Sequence, residues 1–331
     1  MRCGVKRHKC RMGEIAAVVL PAFGLVLAGY LAGRSRNVER DGVAGLNFLV
    51  FYFALPALFF RLVAITPFRE LANLPFVLTT TFSTYCAFAV AFSYGALIHR
   101  GAMAEATVEG LSGSYANVAL MAPGLTLAAF GEAAGAPTAL IMSFDTAMLA
   151  ALTPLMMALG AARRVEGAQM LRFIAKDILL NPMILATIAG LLWSASGFAL
   201  PGAIAGGLSF VGAAAPPAGL FSVGVHLAAK PFRPVGVSAP VLVAIKLVVH
   251  PLIVYLLLGW IGGFDPVWVR TAILCAALPP AIEVADLARK YGADRKLAAT
   301  TMVLGTAAAV VTVTVTLVLV MFDVLPAEPF R

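Results

Sequence analysis

Six ionisable side chains stand inside stretches that are otherwise apolar: Asp145, His226, Lys246, His250, Glu283 and Asp286. A charge near the centre of a bilayer costs roughly 2.5–3.5 kcal/mol on insertion scales, so each must face a cavity, a partner or water. Glu283 and Asp286 are three residues apart and share a helical face; Lys246 and His250 do so at a spacing of four. Glu283 has the chemistry to exchange a proton or to hold a cation, and equally to hydrogen-bond a broken helix end. A cation at Lys246 would neutralise Asp145, Glu283 or a bound carboxylate, although its stem is also long enough to snorkel to an interface. Asp286 fits better as a cap or water-facing group, and His226 as a structural or interfacial one.

Enzymatic chemistry has little support. The chain carries no GxxxxGK[ST] phosphate loop, no HExxH pair and no GxSxG elbow. Asp145 and Asp286 match an intramembrane protease only in being two carboxylates, without any supporting motif. Four cysteines make no disulfide framework. Cys3, His8 and Cys10 form one weak three-ligand cluster in the N-terminal tail. No metal or cofactor is expected.

These groups must be positioned by membrane helices. Of the 331 residues, 61% are hydrophobic and 12% charged, with a mean hydropathy of +0.94; a soluble domain has about twice that charge. A spanning helix needs about 20 mostly apolar residues, and by that measure the chain holds about ten: 14–33, 43–64, 74–98, 107–130, 137–160, 178–199, 203–229, 236–261, 266–290 and 296–322. The net charge of +8 does not point to nucleic acid, because the basic residues fall in short loops. The loops after helices 1, 3, 5, 7 and 9 carry Arg34, Arg36, Arg40, Arg100, Arg163, Arg164, Arg172, Lys176, Lys230, Arg233, Arg289, Lys290, Arg295 and Lys296. The positive-inside rule puts that side in the cytoplasm and both termini outside. Arg2, Lys6, Arg7, Lys9 and Arg11 run against this orientation, and a start at Met12 would remove them; residues 1–11 are therefore expected to be a mis-called start or a disordered tail.

The two halves read as copies. Pro21 and Gly29 of helix 1 match Pro182 and Gly190 of helix 6, and Pro56 to Phe60 of helix 2 match Pro217 to Phe221 of helix 7. Helix 4 holds Pro123-Gly124 and helix 9 holds Pro279-Pro280 near their middles. Proline removes an N–H and clashes with the carbonyl one turn back, so both helices are expected to break there. With five helices per half, residues 12–160 and 178–331 would be inverted repeats joined by a cytoplasmic loop, 161–177. Paired breaks in inverted repeats are the mark of a secondary transporter with its site at the midplane. The fold expected is all-α and polytopic: ten transmembrane helices in a 5+5 inverted repeat, with helices 4 and 9 broken and crossing. The other readings are a channel, which a ring of like pore-lining residues would favour, and a cation/proton antiporter carried by Asp145, Glu283 and Asp286.

In order and spacing, several segments together resemble the auxin efflux carrier family, in its bacterial branch. They include Leu20-Pro21 to Leu31, Leu46-Asn47 to Leu58, Asn117-Val118 with Leu127 to Gly131, Asn181-Pro182, Lys246-Leu247 with His250-Pro251, and Pro279-Pro280-Ala281. The resemblance implies an inner-membrane carrier of small organic anions such as malonate, malate or an auxin-like acid. Helices 1, 2, 6 and 7 would form a scaffold, often dimerising, while helices 3–5 and 8–10 move the substrate elevator-fashion. It places Asn117 in the substrate site, beside Pro123, Gly124, Pro279, Pro280 and Glu283. Asp145, Lys246, His250 and Asp286 would serve coupling or charge compensation, with protons favoured over sodium. Two departures stand out: Pro123 comes one residue early, and Glu283 stands where the family often has an uncharged polar residue.

Overall fold

The computed structural model describes residues 2–35, 40–160, 167–230, 236–327 and 330, with the side chains of 2–11, 40 and 41 outside the description. Cys3, His8 and Cys10 therefore lie outside the described side chains. Among the described residues the protein is helical without strands. In chain order the helices are α1 (Arg2–Arg34), α2 (Arg40–Leu49), α3 (Leu55–Ala64), α4 (Phe68–Leu71), α5 (Leu74–Ile98), α6 (Met103–Ser114), α7 (Val118–Phe130), α8 (Gly135–Gly160), α9 (Gly167–Leu179), α10 (Pro182–Ser196), α11 (Gly202–Gly212), α12 (Ala215–Ala229), α13 (Ser238–Ala244), α14 (His250–Ile261), α15 (Pro266–Ala276), α16 (Glu283–Tyr291) and α17 (Arg295–Met321). Single π-helical turns, Val50–Ala54 and Ile245–Val249, join α2 to α3 and α13 to α14.

Among the described residues, seven stretches are long and apolar enough to cross a membrane: Met12–Arg34, Gly42–Ala64, Phe68–Ile98, Glu132–Gly160, Gly202–Ala229, Ser238–Ile261 and Arg295–Met321. α9 and α10 together make an eighth, bent by 65° between them. The predicted loop 161–177 is thus largely helix from Gly167 onward, amphipathic and without a buried residue. Side-chain caps fix several starts. Asn181 accepts from the N–H groups of Met183 and Ile184, Asp265 from Val267 and Trp268, and Asp294 from Lys296 and Leu297, each satisfying donors a helix start leaves free. Within the apolar helices, hydroxyls such as Thr80, Ser83 and Thr187 bond carbonyls one turn back, since lipid offers no other partner.

Two packing groups emerge. In one, α1 lies along α12 and α10 along α3; in the other, α5 packs on α6 and α14, α13 on α17, and α15 on α8 and α14. α12 meets α7 where the groups touch. Glycines set the closest approaches in the first group. A Cβ on Gly29 would collide with the Phe221 carbonyl, and one on Gly190 would press on the Phe60 carbonyl. The members of the two contacts are related by 161 positions (29 to 190, 60 to 221), the offset that also relates Pro21 to Pro182 and Pro56 to Pro217. Small residues are how membrane helices pack without a hydrophobic driving force.

Candidate functional site

The helix-9 region breaks where its prolines stand: α15 ends at Ala276 and α16 starts at Glu283. The helix-4 region breaks elsewhere. α6 ends at Ser114 and α7 starts at Val118, so the unwound residues are Tyr115, Ala116 and Asn117, while Pro123 sits inside a continuous α7. Pro123 lies less than two turns into α7, and the hydrogen bond it forfeits is to Ala119, beside the opened segment. Gly124 does not shape the break either; a Cβ there would strike Leu220 of α12. What stabilises the upstream break is the other unwound segment. Ala116 and Pro280 pair antiparallel: the Asn117 N–H donates to the Pro279 carbonyl at 2.9 Å and the Ala281 N–H to the Tyr115 carbonyl at 3.1 Å. The prolines have no N–H to donate, but the Pro279 carbonyl accepts. Two opened helices thus satisfy one another's backbone groups at the crossing.

Beside the crossing lies a cavity of about 680 Å³. Tyr115, Ala119 and Glu283 line it from the crossing, Thr146, Thr153 and Pro154 from α8, Asn47, Phe48, Phe51 and Tyr52 from the α2 region, and Phe173, Asp177, Lys290 and Tyr291 from α9 and α16. Both packing groups therefore contribute walls. Ala119, in the first turn of α7, is on the cavity wall, so the start of that helix, which favours negative charge, adjoins it. Among the buried polar atoms without a partner in the described residues, two lie here: Asn117 Oδ1 at the crossing and Thr153 Oγ1 on the cavity wall, each in a residue 2% exposed. Lys290 stands over the rings of Phe173 and Tyr291, at 5.5 and 5.2 Å from their centroids.

Behind Tyr115, whose hydroxyl bonds Thr146, is a buried polar set. Lys246 is fully buried and donates to the Ala276 carbonyl, the last residue of α15, and to His250 Nδ1 at 3.1 Å. His250 Nε2 is 3.4 Å from Thr84 Oγ1, which lies 3.3 Å from Asp145 Oδ1. With Lys246 donating, His250 takes the Nε2–H tautomer and the bonds run head to tail from Lys246 through His250 and Thr84 to Asp145. The π-turn Ile245–Val249 carries Lys246, a local irregularity of the kind found at functional positions. The ammonium also faces the negative end of α15.

The structure thus brings Asn117, Pro279, Pro280 and Glu283 to one crossing and Asp145, Lys246 and His250 to one cluster next to it. Asp286 does neither. It is exposed, 3.5 Å from Lys230 just past α12 and 3.7 Å from Arg289. His226 bonds Asn47 and Ser222, pinning α12 to α2, and lies close enough to Glu283 to act on it electrostatically. Sequence reading missed Tyr115, Thr84 and Thr153, whose types carry no signal in apolar helices. It also passed over Glu109, buried in α6 and paired with His99 at 2.8 Å. Among the described residues no group of three or more His, Cys, Asp or Glu side chains is placed to hold a metal.

Crossed half-helices between two membrane helix groups define a transporter rather than an enzyme, and the comparisons agree. Residues 15–317 match the family described as "Membrane transport protein", and the chain belongs to that family, the auxin efflux carriers. It is 39% identical over 319 residues, 96% of its length and 100% of the relative's, to a Rhizobium meliloti (strain 1021) protein named "Putative malonate transporter".

Proposed function

We propose that this protein is a secondary-active carrier of a small organic anion, a mono- or dicarboxylate such as malonate, working by elevator-type alternating access. The observation that carries the reading is the crossing of two opened helices at residues 115–117 and 277–282, beside a cavity walled by both helix groups. The start of α7 there offers N–H groups to a carboxylate, and Asn117 supplies a side chain. The repeat spans 12–160 and 178–331. Its support is the cross-pairing of α1 with α12 and of α10 with α3 through the related glycine contacts, together with two half-helix pairs that each end on a left-handed glycine, Gly131 (φ 71°) and Gly292 (φ 73°). Helices 1, 2, 6 and 7 are the scaffold, through which two copies pair. The rest moves. Since the cavity is rimmed by Lys290 and Asp177 on the side richest in Lys and Arg, it faces the cytoplasm of an inner membrane, with both termini outside. Protons rather than sodium drive uptake, with Glu283 at the site.

The buried Asp145–Lys246 set favours a second reading, a cation/proton antiporter of like architecture. Proteoliposomes given labelled malonate, malate and indole-3-acetate, with and without an inward proton gradient, separate the two. Uptake of at least one acid, stimulated by the gradient and unstimulated in Glu283→Gln, is the expected result. No uptake of any acid, with sodium–proton exchange instead, would overturn it.

A further inference from the structure

Seen from its ligand, the cavity is short of positive charge. Of its ionisable lining among the described residues, Glu283 and Asp177 are carboxylates and Lys290 is the single ammonium, held at the rim over two aromatic rings. The buried ammonium of Lys246 is turned away, already bonded to Ala276 and His250. The groups that face Glu283 are Tyr115 from the unwound segment, with Asp145 of α8 behind it, His226 from α12, Asp177 across the cavity, and Asp286 and Lys290 on its own helix. Two acceptors at the crossing can take a proton donor: the buried Asn117 Oδ1, which has no partner, and the Glu283 carboxylate, which is bonded to its own backbone N–H and has lone pairs to spare. Yet the N–H groups at the start of α7 want an anion. A ligand with one ionised and one un-ionised carboxyl answers both demands. A dianion would set its second charge against Glu283, and a burial of like charges is costly.

We propose, resting on the anion-carrier reading, that the species carried is the singly protonated form of a short dicarboxylic acid. Its carboxylate lies at the start of α7, and its un-ionised carboxyl donates to Glu283. The proton then travels on the substrate, and Glu283 sets specificity by selecting that form over the dianion and over acids with no second carboxyl hydrogen.

The test uses the purified full chain in proteoliposomes, with equal pH on both sides, labelled malonate as substrate and monomethyl malonate as competitor. Monomethyl malonate keeps one charge but has no second acidic hydrogen. Wild-type uptake at fixed total malonate should fall about tenfold per pH unit above the second ionisation of malonic acid, the mass-action slope of one proton. Monomethyl malonate should compete about tenfold or more weaker than malonate, the effect of a site acceptor left unpaired. Glu283→Gln should flatten the pH profile and admit the monoester, whereas Glu283→Asp keeps both wild-type behaviours. A flat or rising wild-type profile, or equal competition by the monoester in wild type, would overturn the inference while leaving the carrier reading intact. Those two arms need no variant. Absence of malonate uptake at every pH would instead defeat the carrier reading, and this inference with it.

Discussion

Replacing Lys246 by methionine is expected to lower transport by about 100-fold or more, the scale on which a preorganised charge matters in an excluded site. Lys246 holds three things at once: the last carbonyl of α15, the ring of His250, and through His250 and Thr84 the carboxylate of Asp145. Methionine fills the volume but leaves the carbonyl unbonded and Asp145 without a cation. Removing one member of a buried charged pair typically costs about 3–5 kcal/mol. The variant should therefore also melt earlier in detergent. The double variant Asp145→Asn, Lys246→Met removes both charges and should regain much of that stability. It should not regain transport, because the end of α15 next to the crossing still lacks its donor. Arginine is no substitute, its planar fork being too large for a site where the ammonium is enclosed. A Lys246→Met protein with normal melting and normal uptake would show that the cluster is ornamental.

The second large effect is structural. At Gly224 a Cβ would run into the Val26 carbonyl and the backbone of Gly29 and Tyr30. These are main-chain atoms of α1, which cannot rotate aside as a side chain can. Gly224→Leu must push α1 and α12 apart along their whole contact, at a cost of about 3 kcal/mol or more, the upper range for overpacking. Gly190→Leu should behave alike, pressed against the Phe60 carbonyl and Val63 of α3. Gly206→Ala is the control: nothing lies within 4 Å of its Cβ position, so a shift within about 0.5 kcal/mol is expected, as for surface positions generally. Fluorescence-detected gel filtration after heating ranks the three. Equal melting of Gly224→Leu and Gly206→Ala would contradict the packing described.

Much of this was legible in the residues because membrane physics is local. Apolar length marks spans, and proline and glycine at matching offsets suggest a repeat; that Gly29 meets Phe221 and Gly190 meets Phe60 is visible only in the structure. Ionisable residues in apolar runs are costly, so Glu283 and the Lys246–His250 pair stood out. The break in the helix-4 region was misplaced because its cause is not local. Pro123 is a visible breaker, yet the chain opens at Tyr115–Asn117, which holds no proline, because Pro279 and Ala281 of the other half offer hydrogen bonds there. No single window of sequence contains both strands of that pairing. The α9 helix was hidden for a different reason: its charges read as a loop, although the same charges on one face with Leu171, Ile174 and Ile178 on another suit a membrane surface. Tyr115 and Thr153 gain meaning only from where the crossing places them.

A transported acid held at the crossing is tested most directly by paired uptake assays. Wild type and the double variant Asn117→Ala, Glu283→Gln are reconstituted at equal density and given labelled malonate under an inward proton gradient. Wild type should accumulate malonate above its external concentration, and the double variant, matched to it in melting and gel filtration, should not rise above empty liposomes. Accumulation by the double variant at the wild-type rate would place the substrate somewhere other than the crossing.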